Sequence, residues 1–74
     1  MIKYHLMTLI EQKSFQDRKR LTLNEICEAT DLSRATLSKM LNEPGSVVSL
    51  DTIDRLCNFF KVPIEKLIEH VPEK

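Results

Sequence analysis

The feature that most constrains the fold is a very short connection between two helical segments. Residues 22–30 and 33–42 carry apolar side chains at helical spacing, and only about three residues separate the two segments. A connection of this length makes the helices cross steeply instead of lying side by side. The chain must reverse at Asp31, where we expect a left-handed backbone that Asp tolerates better than most residues. Leu32 is then expected to pack between the two helices.

Periodicity in the rest of the chain predicts three further helices, and with them a compact all-α fold of five helices. The first is expected at the N-terminus and fades at Lys13–Ser14. The fifth opens at Pro63, a residue that suits the first helical position, and ends before Pro72. The apolar faces hold Ile2, Leu6, Leu9 and Ile10 in the first helix, Ile53, Leu56, Cys57 and Phe60 in the fourth, and Ile64, Leu67, Ile68 and Val71 in the fifth.

The starts of three helices are marked by residues that favour N-caps. Thr22, followed by Glu25, has the pattern of a capping box at the second helix. Ser33 and Ser49 are expected to cap the third and fourth helices. Between those helices the pair Pro44–Gly45 predicts a turn.

Length, charge and motif content exclude several classes of protein. A chain of 74 residues is expected to form one domain over residues 1–74. Its formal net charge is zero. It has two cysteines, which do not make a disulfide framework, no run long enough to span a membrane and no signal-peptide pattern, so we expect a cytoplasmic protein. No Gly-rich phosphate loop or nucleophile motif occurs, and no enzymatic activity, catalytic residue, cofactor or small-molecule ligand is predicted.

The cysteines Cys27 and Cys57 could in principle serve in metal binding, in redox sensing or simply in packing. Their spacing fits no zinc pattern, and His5 and His70 lie near opposite ends of the sequence. We therefore interpret both cysteines as small core residues and predict no metal site. Tyr4 is likewise interpreted as a packing residue.

The region around the short connection resembles a known family. Residues 22–42, TLNEICEATDLSRATLSKMLN, are similar to the helix-turn-helix of Xre/Cro-type (lambda repressor-like) DNA-binding domains. Residues 49–73 look like the last two helices of a compact, single-domain subgroup of that family. The resemblance covers nearly the whole chain. It implies a transcriptional regulator that binds double-stranded DNA through a helix-turn-helix at the second and third helices.

The resemblance also implies roles for individual residues. The third helix, about residues 33–42, would be a recognition helix in the major groove. The side chains that would face base edges there are Arg34, Ala35, Ser38 and Lys39. Phosphate contacts would come from backbone N–H groups at the start of the second helix and from side chains of the third, at Thr22, Leu23, Thr36 and Asn42. For Arg34 and Lys39 the alternative is ordinary solvated surface charge.

Three features depart from the family pattern. Leu23 stands where the family often has Gln, Asp31 stands where Gly is usual, and the linker 42–49 has no basic residue. The linker before the second helix is longer than usual and carries Arg18, Lys19 and Arg20. We infer that these three residues supply phosphate contacts, the alternative being a flexible surface loop.

Two functions remain open from the sequence. The first is a homodimer whose recognition helices, about 34 Å apart, read a pseudo-palindrome. Its dimer contacts are expected on the fifth helix and C-terminal tail, at Leu67, Ile68 and Val71. The second is a protein-interaction module of antitoxin or phage-control type, which the zero net charge and the linker without basic residues suggest. A continuous positive surface through Arg18–Arg20, Arg34 and Lys39 would favour DNA, whereas interleaving by Asp17, Glu28 and Asp31 would favour a protein partner.

Overall fold

In the computed structural model, which describes residues 1–43 and 45–72, four α-helices pack together and the two chain ends pair as a short sheet. The elements in chain order are strand β1 (Ile2–Tyr4), helices α1 (Leu6–Asp17), α2 (Leu23–Thr30), α3 (Arg34–Asn42) and α4 (Leu50–Phe60), a 3-10 turn (Ile64–Lys66) and strand β2 (Ile68–His70). Within these ranges no helix is both long and apolar enough to cross a membrane.

The core lies where the apolar stripes of the four helices and the 3-10 turn meet. Its fully buried side chains are Leu6, Ile26, Leu37, Leu56 and Leu67, joined by Leu9, Met40 and Ile53 at 5% exposure or less. Burying one such side chain contributes about 1.5–3 kcal/mol, so these residues supply much of the driving force for folding. The apolar faces predicted for α2, α3 and α4 are confirmed at Ile26, Leu37 and Leu56.

The three predicted N-caps are confirmed. Thr22 Oγ1 accepts a hydrogen bond from the Glu25 N–H at 3.3 Å. Ser33 Oγ and Ser49 Oγ accept in the same way from the N–H groups three residues further on, each at 3.1 Å. Each cap satisfies a backbone donor that has no partner within its helix, which fixes where α2, α3 and α4 begin.

The predicted all-α fold of five helices is wrong at both ends of the chain. The 3-10 turn and β2 replace the fifth helix, and β1 replaces the first turn of the predicted first helix. The strands pair antiparallel, with Ile2 opposite His70 and Tyr4 opposite Ile68. Pairing as strands satisfies backbone groups of both chain ends, which the helical spacing of the side chains does not reveal.

The linkers also differ from the predicted pattern. Helix α1 runs on to Asp17, so the first half of the predicted linker from Ser14 to Arg20 is helical. Gly45 has a φ of 81°, a left-handed conformation that suits glycine at a turn. Its neighbour in the predicted turn, Pro44, and the last residues of the predicted domain, 73–74, lie outside the described residues.

The residues of the predicted dimer surface do not lie on a fifth helix, which the 3-10 turn and β2 replace. Leu67 is fully buried in the core, and Ile68 is half-buried against it. The N–H of Val71 donates to the Met1 carbonyl at 2.8 Å, so this residue continues the pairing of the chain ends. Leu67 is therefore not accessible to a second copy, whereas the side chains of Ile68 and Val71 are partly exposed.

Candidate nucleic-acid interface

The turn between α2 and α3 has the predicted left-handed residue. Asp31 has φ 60° and ψ 28°, and its N–H donates to the Cys27 carbonyl at 2.8 Å. Leu32 is half-buried and packs against the core, as expected from its place between the helices. From α4, Arg55 Nη1 donates to the Thr30 carbonyl at 2.9 Å, which satisfies an acceptor at the end of α2. The end of α2 is therefore held by two hydrogen bonds, and the packing of Leu32 holds the stretch that leads into α3.

Helix α3 presents two chemically different faces. Leu37 and Met40 are buried in the core, whereas Arg34, Ala35, Lys39 and Asn42 are exposed. The exposed positions and Ser38 fall on one side of the helix, because a residue advances by about 100° in an α-helix of 3.6 residues per turn. The structure thus brings the four predicted base-contacting residues together on one face, where Ser38 is half-buried and the other three are exposed.

Some polar groups on α3 already have partners within the chain. The Asn42 amide donates to Ser38 Oγ at 3.2 Å, and the hydroxyls of Ser33 and Thr36 lie 2.8 Å apart. Thr36, predicted as a phosphate contact, is half-buried and engaged in the cap of its own helix. Lys39 is exposed, which leaves its ammonium group in contact with solvent.

Arg34 is held by a residue that the sequence did not single out. Its Nη1 donates to Asn24 Oδ1, from the first turn of α2, at 3.0 Å. Both side chains are exposed, so this bond contributes little stability, but it restricts where the guanidinium lies. No local pattern signals a contact across ten positions of sequence, because it depends on how α2 and α3 cross.

The basic segment Arg18–Arg20 is tied to the end of α1. Arg18 adopts a left-handed conformation with φ 52°, and the Lys19 N–H donates to the Ser14 carbonyl at 3.1 Å. Ser14 Oγ also accepts from the Leu21 N–H at 2.9 Å. The backbone is therefore anchored before and after this segment, while its three cationic side chains are exposed.

A groove of about 760 Å³ joins part of this basic segment to α3. It lies between α1, the start of α2 and α3, which lines it with Arg34 from its first turn and Leu41 from its last. The predicted site residues that line it are Arg20, Thr22, Leu23 and Arg34, together with Asn24. The remaining predicted residues, including Arg18, Lys19 and Lys39, do not line this groove.

Acidic residues interrupt the positive surface at several points. The Glu25 carboxylate lies 3.6 Å from Lys19 Nζ, and Glu11 lines the groove that holds Arg20. Asp17 pairs instead with Lys13 at 3.4 Å, and Asp31 lies 4.0 Å from Arg55. The surface around α3 is therefore of mixed charge, with its cations at Arg20 and Arg34 in the groove and at Lys39 along the helix.

The cysteines contribute packing in this structure. Cys27 and Cys57 are both half-buried and free, and both lie against the core. Burial raises the pKa of the Cys57 thiol, and the nearby Asp54 carboxylate raises it further, which favours the neutral thiol over the reactive thiolate. Among the residues that the structure describes, no group of three or more histidine, cysteine and acidic side chains could hold a metal ion.

Replacing Asp31 with Gly is expected to raise the free energy of unfolding by about 0.5–1 kcal/mol. The left-handed conformation costs an L-residue about 1–2 kcal/mol, and part of this gain is offset by the greater backbone entropy of unfolded glycine. The ion pair lost with Arg55 is at the surface and weak. Urea denaturation measures the change. Asp31→Asn removes the charge but keeps a residue that tolerates this conformation, so an equal gain in that variant would contradict the backbone explanation.

The chain was compared with models of known protein families, with curated proteins and with solved structures. A family model described as a Cro/C1-type helix-turn-helix DNA-binding domain matches residues 13–73, which includes the turn, α3 and all of α4. Searches of curated proteins and of solved structures found no significant match. The chain therefore belongs to the family of Cro/C1-type helix-turn-helix DNA-binding domains.

Proposed function

We propose that the protein is a transcriptional regulator that reads a specific double-stranded DNA sequence with α3 in the major groove. The observation that carries this proposal is the division of α3 into a buried apolar face and an exposed polar face. Leu37 and Met40 hold the helix in place, and Arg34, Ala35 and Lys39 are left accessible. A groove-binding helix needs this arrangement, because the side that reads the bases cannot also pack in the core.

The exposed residues of α3 have the chemistry for direct readout. The guanidinium of Arg34 can donate to guanine O6 and N7 together, and the Asn24 bond restricts its position before DNA is bound. Lys39 can donate to the same acceptors, and the Ala35 methyl group can contact a thymine methyl. Ser38 offers a hydroxyl that can donate or accept, although it accepts from Asn42 in the unbound protein.

Phosphate contacts are proposed at the start of α2 and on the basic segment beside it. The N–H groups of the first turn of α2 point out of the helix at Thr22 and Leu23, and helix N-termini favour anions. Arg20 lines the same groove, and Arg18 and Lys19 extend the positive charge away from it. Asn42 and Thr36 are proposed as additional contacts at the two ends of α3, where phosphate would compete with their internal partners.

We further propose that the protein binds DNA as a homodimer, because one recognition helix makes too few base contacts for useful specificity. Two copies reading half-sites about 34 Å apart would double the contacts and require a pseudo-palindromic site. Sedimentation of the complex with the pseudo-palindromic duplex should then show two protein chains per duplex, whereas one chain on that duplex would contradict the dimer.

The second candidate function is a protein-interaction module of antitoxin or phage-control type. The mixed charge around α3 favours it, since Glu25 neutralises Lys19 and Glu11 lines the groove with Arg20 and Arg34. Such a surface suits a partner that carries both signs of charge. Among the residues that the structure describes, neither Arg34 nor Lys39 forms an ion pair with an acidic side chain. Their free positive charge favours DNA as the partner.

Selection from a random pool of double-stranded DNA tests the proposed function and separates it from the alternative. The expected result is enrichment of a pseudo-palindrome whose half-site centres are about one helical turn apart. Parallel selection with Arg34→Ala is the matched control, and one base position in each half-site should lose its preference. A pool that stays random with the wild-type protein would contradict sequence-specific binding and favour the interaction module.

A further inference from the structure

The N-terminal strand contacts the loop that follows α3. The Tyr4 hydroxyl donates a hydrogen bond to the Ser46 carbonyl, while the Tyr4 ring is half-buried against the core. The Met1 side chain also lies close to this loop, since its Cγ is 3.3 Å from where a Cβ on Gly45 would be. Residues at both ends of β1 therefore touch the same short stretch of backbone.

Ser46 is tied in turn to the last residues of α3. Its N–H donates to the Glu43 carbonyl at 3.1 Å, and its hydroxyl reaches the Lys39 carbonyl at 3.4 Å. Lys39 is one of the proposed base-contacting residues. The Ser46 backbone is thus held by the end of α3 on one side and by Tyr4 on the other.

Tyr4 itself is fixed by the pairing of the chain ends. It lies opposite Ile68 in the sheet, and the adjacent His5 N–H donates to the carbonyl of the buried Leu67 at 2.7 Å. At the other end of β1, the Met1 amino group donates to the Val71 carbonyl at 3.0 Å. A continuous set of hydrogen bonds therefore runs from the core at Leu67, through β1, to the end of α3.

We infer that Tyr4 is a positioning residue for DNA binding, acting through Ser46 on the end of α3 and the loop after it. The inference rests on the proposed function, because it concerns how Lys39 and Asn42 are presented to DNA. Holding the loop before binding avoids the entropy loss of ordering it in the complex. Residues 1–12 precede the part of the chain that matches the family model, so Tyr4, which braces Ser46 through its hydroxyl, lies before the matched segment.

The variant Tyr4→Phe tests the inference, because it keeps the ring in place and removes only the hydroxyl. The first readout needs no DNA. Loss of one net hydrogen bond should speed hydrogen exchange at the Ser46 amide about three- to tenfold, with the Leu56 amide unchanged. The second readout is affinity for the duplex enriched from the random pool, which should fall by a similar factor at a temperature where both proteins are fully folded.

Ile53→Val is the matched control, because it lowers stability from within the core and leaves both partners of the hydrogen bond between Tyr4 and Ser46 in place. It should leave Ser46 exchange and DNA affinity unchanged. If hydrogen exchange at the Ser46 amide is unchanged in Tyr4→Phe, the Tyr4 hydroxyl does not brace the loop at all. Faster exchange with unchanged affinity, or an equal affinity loss in Ile53→Val, would overturn the positioning role. If the wild-type protein bound no duplex, the proposed function and the positioning role would fail together, and Ser46 exchange would still show whether the brace exists.

Discussion

Replacing Arg34 with Ala is expected to weaken binding to the selected DNA site by about 1–3 kcal/mol and to abolish preference at one base position per half-site. The guanidinium is exposed, lies at the start of α3 and is oriented by the 3.0 Å bond to Asn24. Truncation to Ala removes the bidentate contact to guanine and leaves the O6 and N7 acceptors of that base unpaired in the complex. Fluorescence anisotropy with the selected site and single-base variants of it measures both effects.

Three further variants separate base reading from simple charge. Arg34→Lys keeps the charge but loses the planar fork, so it should retain general affinity and lose most of the preference. Lys19→Ala should weaken all sequences alike and reduce the salt dependence, as expected for a phosphate contact. Lys66→Ala removes an exposed cation from the 3-10 turn and should change little. An equal loss on all sequences for Arg34→Ala would contradict its role in reading bases.

Replacing Leu56 with Ala is expected to lower the free energy of unfolding by about 2–5 kcal/mol. Leu56 is fully buried in α4 and belongs to the core that also supports α3 through Leu37 and Met40. Domains are stable by only about 5–15 kcal/mol, and a chain of this size lies near the lower limit, so the variant should be close to unfolded at physiological temperature. Urea denaturation followed by circular dichroism gives the change.

Leu50→Ala is the matched control, since it makes the same substitution in the first turn of the same helix. Leu50 is 80% exposed, and its truncation should change stability by less than about 0.5 kcal/mol. Similar losses for Leu50→Ala and Leu56→Ala would mean that helix propensity, and not burial in the core, determines the stability of α4.

The central part of the fold could be predicted because its signals are local. Thr22, Ser33 and Ser49 act as N-caps within three residues of their partners, and the short turn required a left-handed residue at Asp31. The residues expected on the exposed face of α3 came from the family resemblance, and helical spacing places them on one side of the helix. Their roles towards DNA remain predictions.

The chain ends could not be predicted from local signals, because β1 and β2 pair across nearly the whole length of the chain. Ile64, Leu67 and Ile68 have helical spacing, yet only Leu67 among them is fully buried. The helical pattern was therefore misleading at the very segment chosen for the dimer surface. The hydrogen bonds that Arg34 donates to Asn24 and Tyr4 donates to Ser46 were not predicted either, because each joins residues that only the tertiary fold brings together.

Backbone amide shift mapping by NMR, during titration with the selected duplex, tests most directly whether α3 contacts the bases of a specific DNA site. The largest shift changes are predicted on the exposed face of α3, at Arg34, Ala35 and Lys39, with a second set at Thr22 and Leu23. A duplex of the same composition in scrambled order should shift the phosphate-contacting set and leave the base-contacting set nearly unchanged. If α3 keeps its unbound shifts while another surface responds to the selected duplex, the account is wrong.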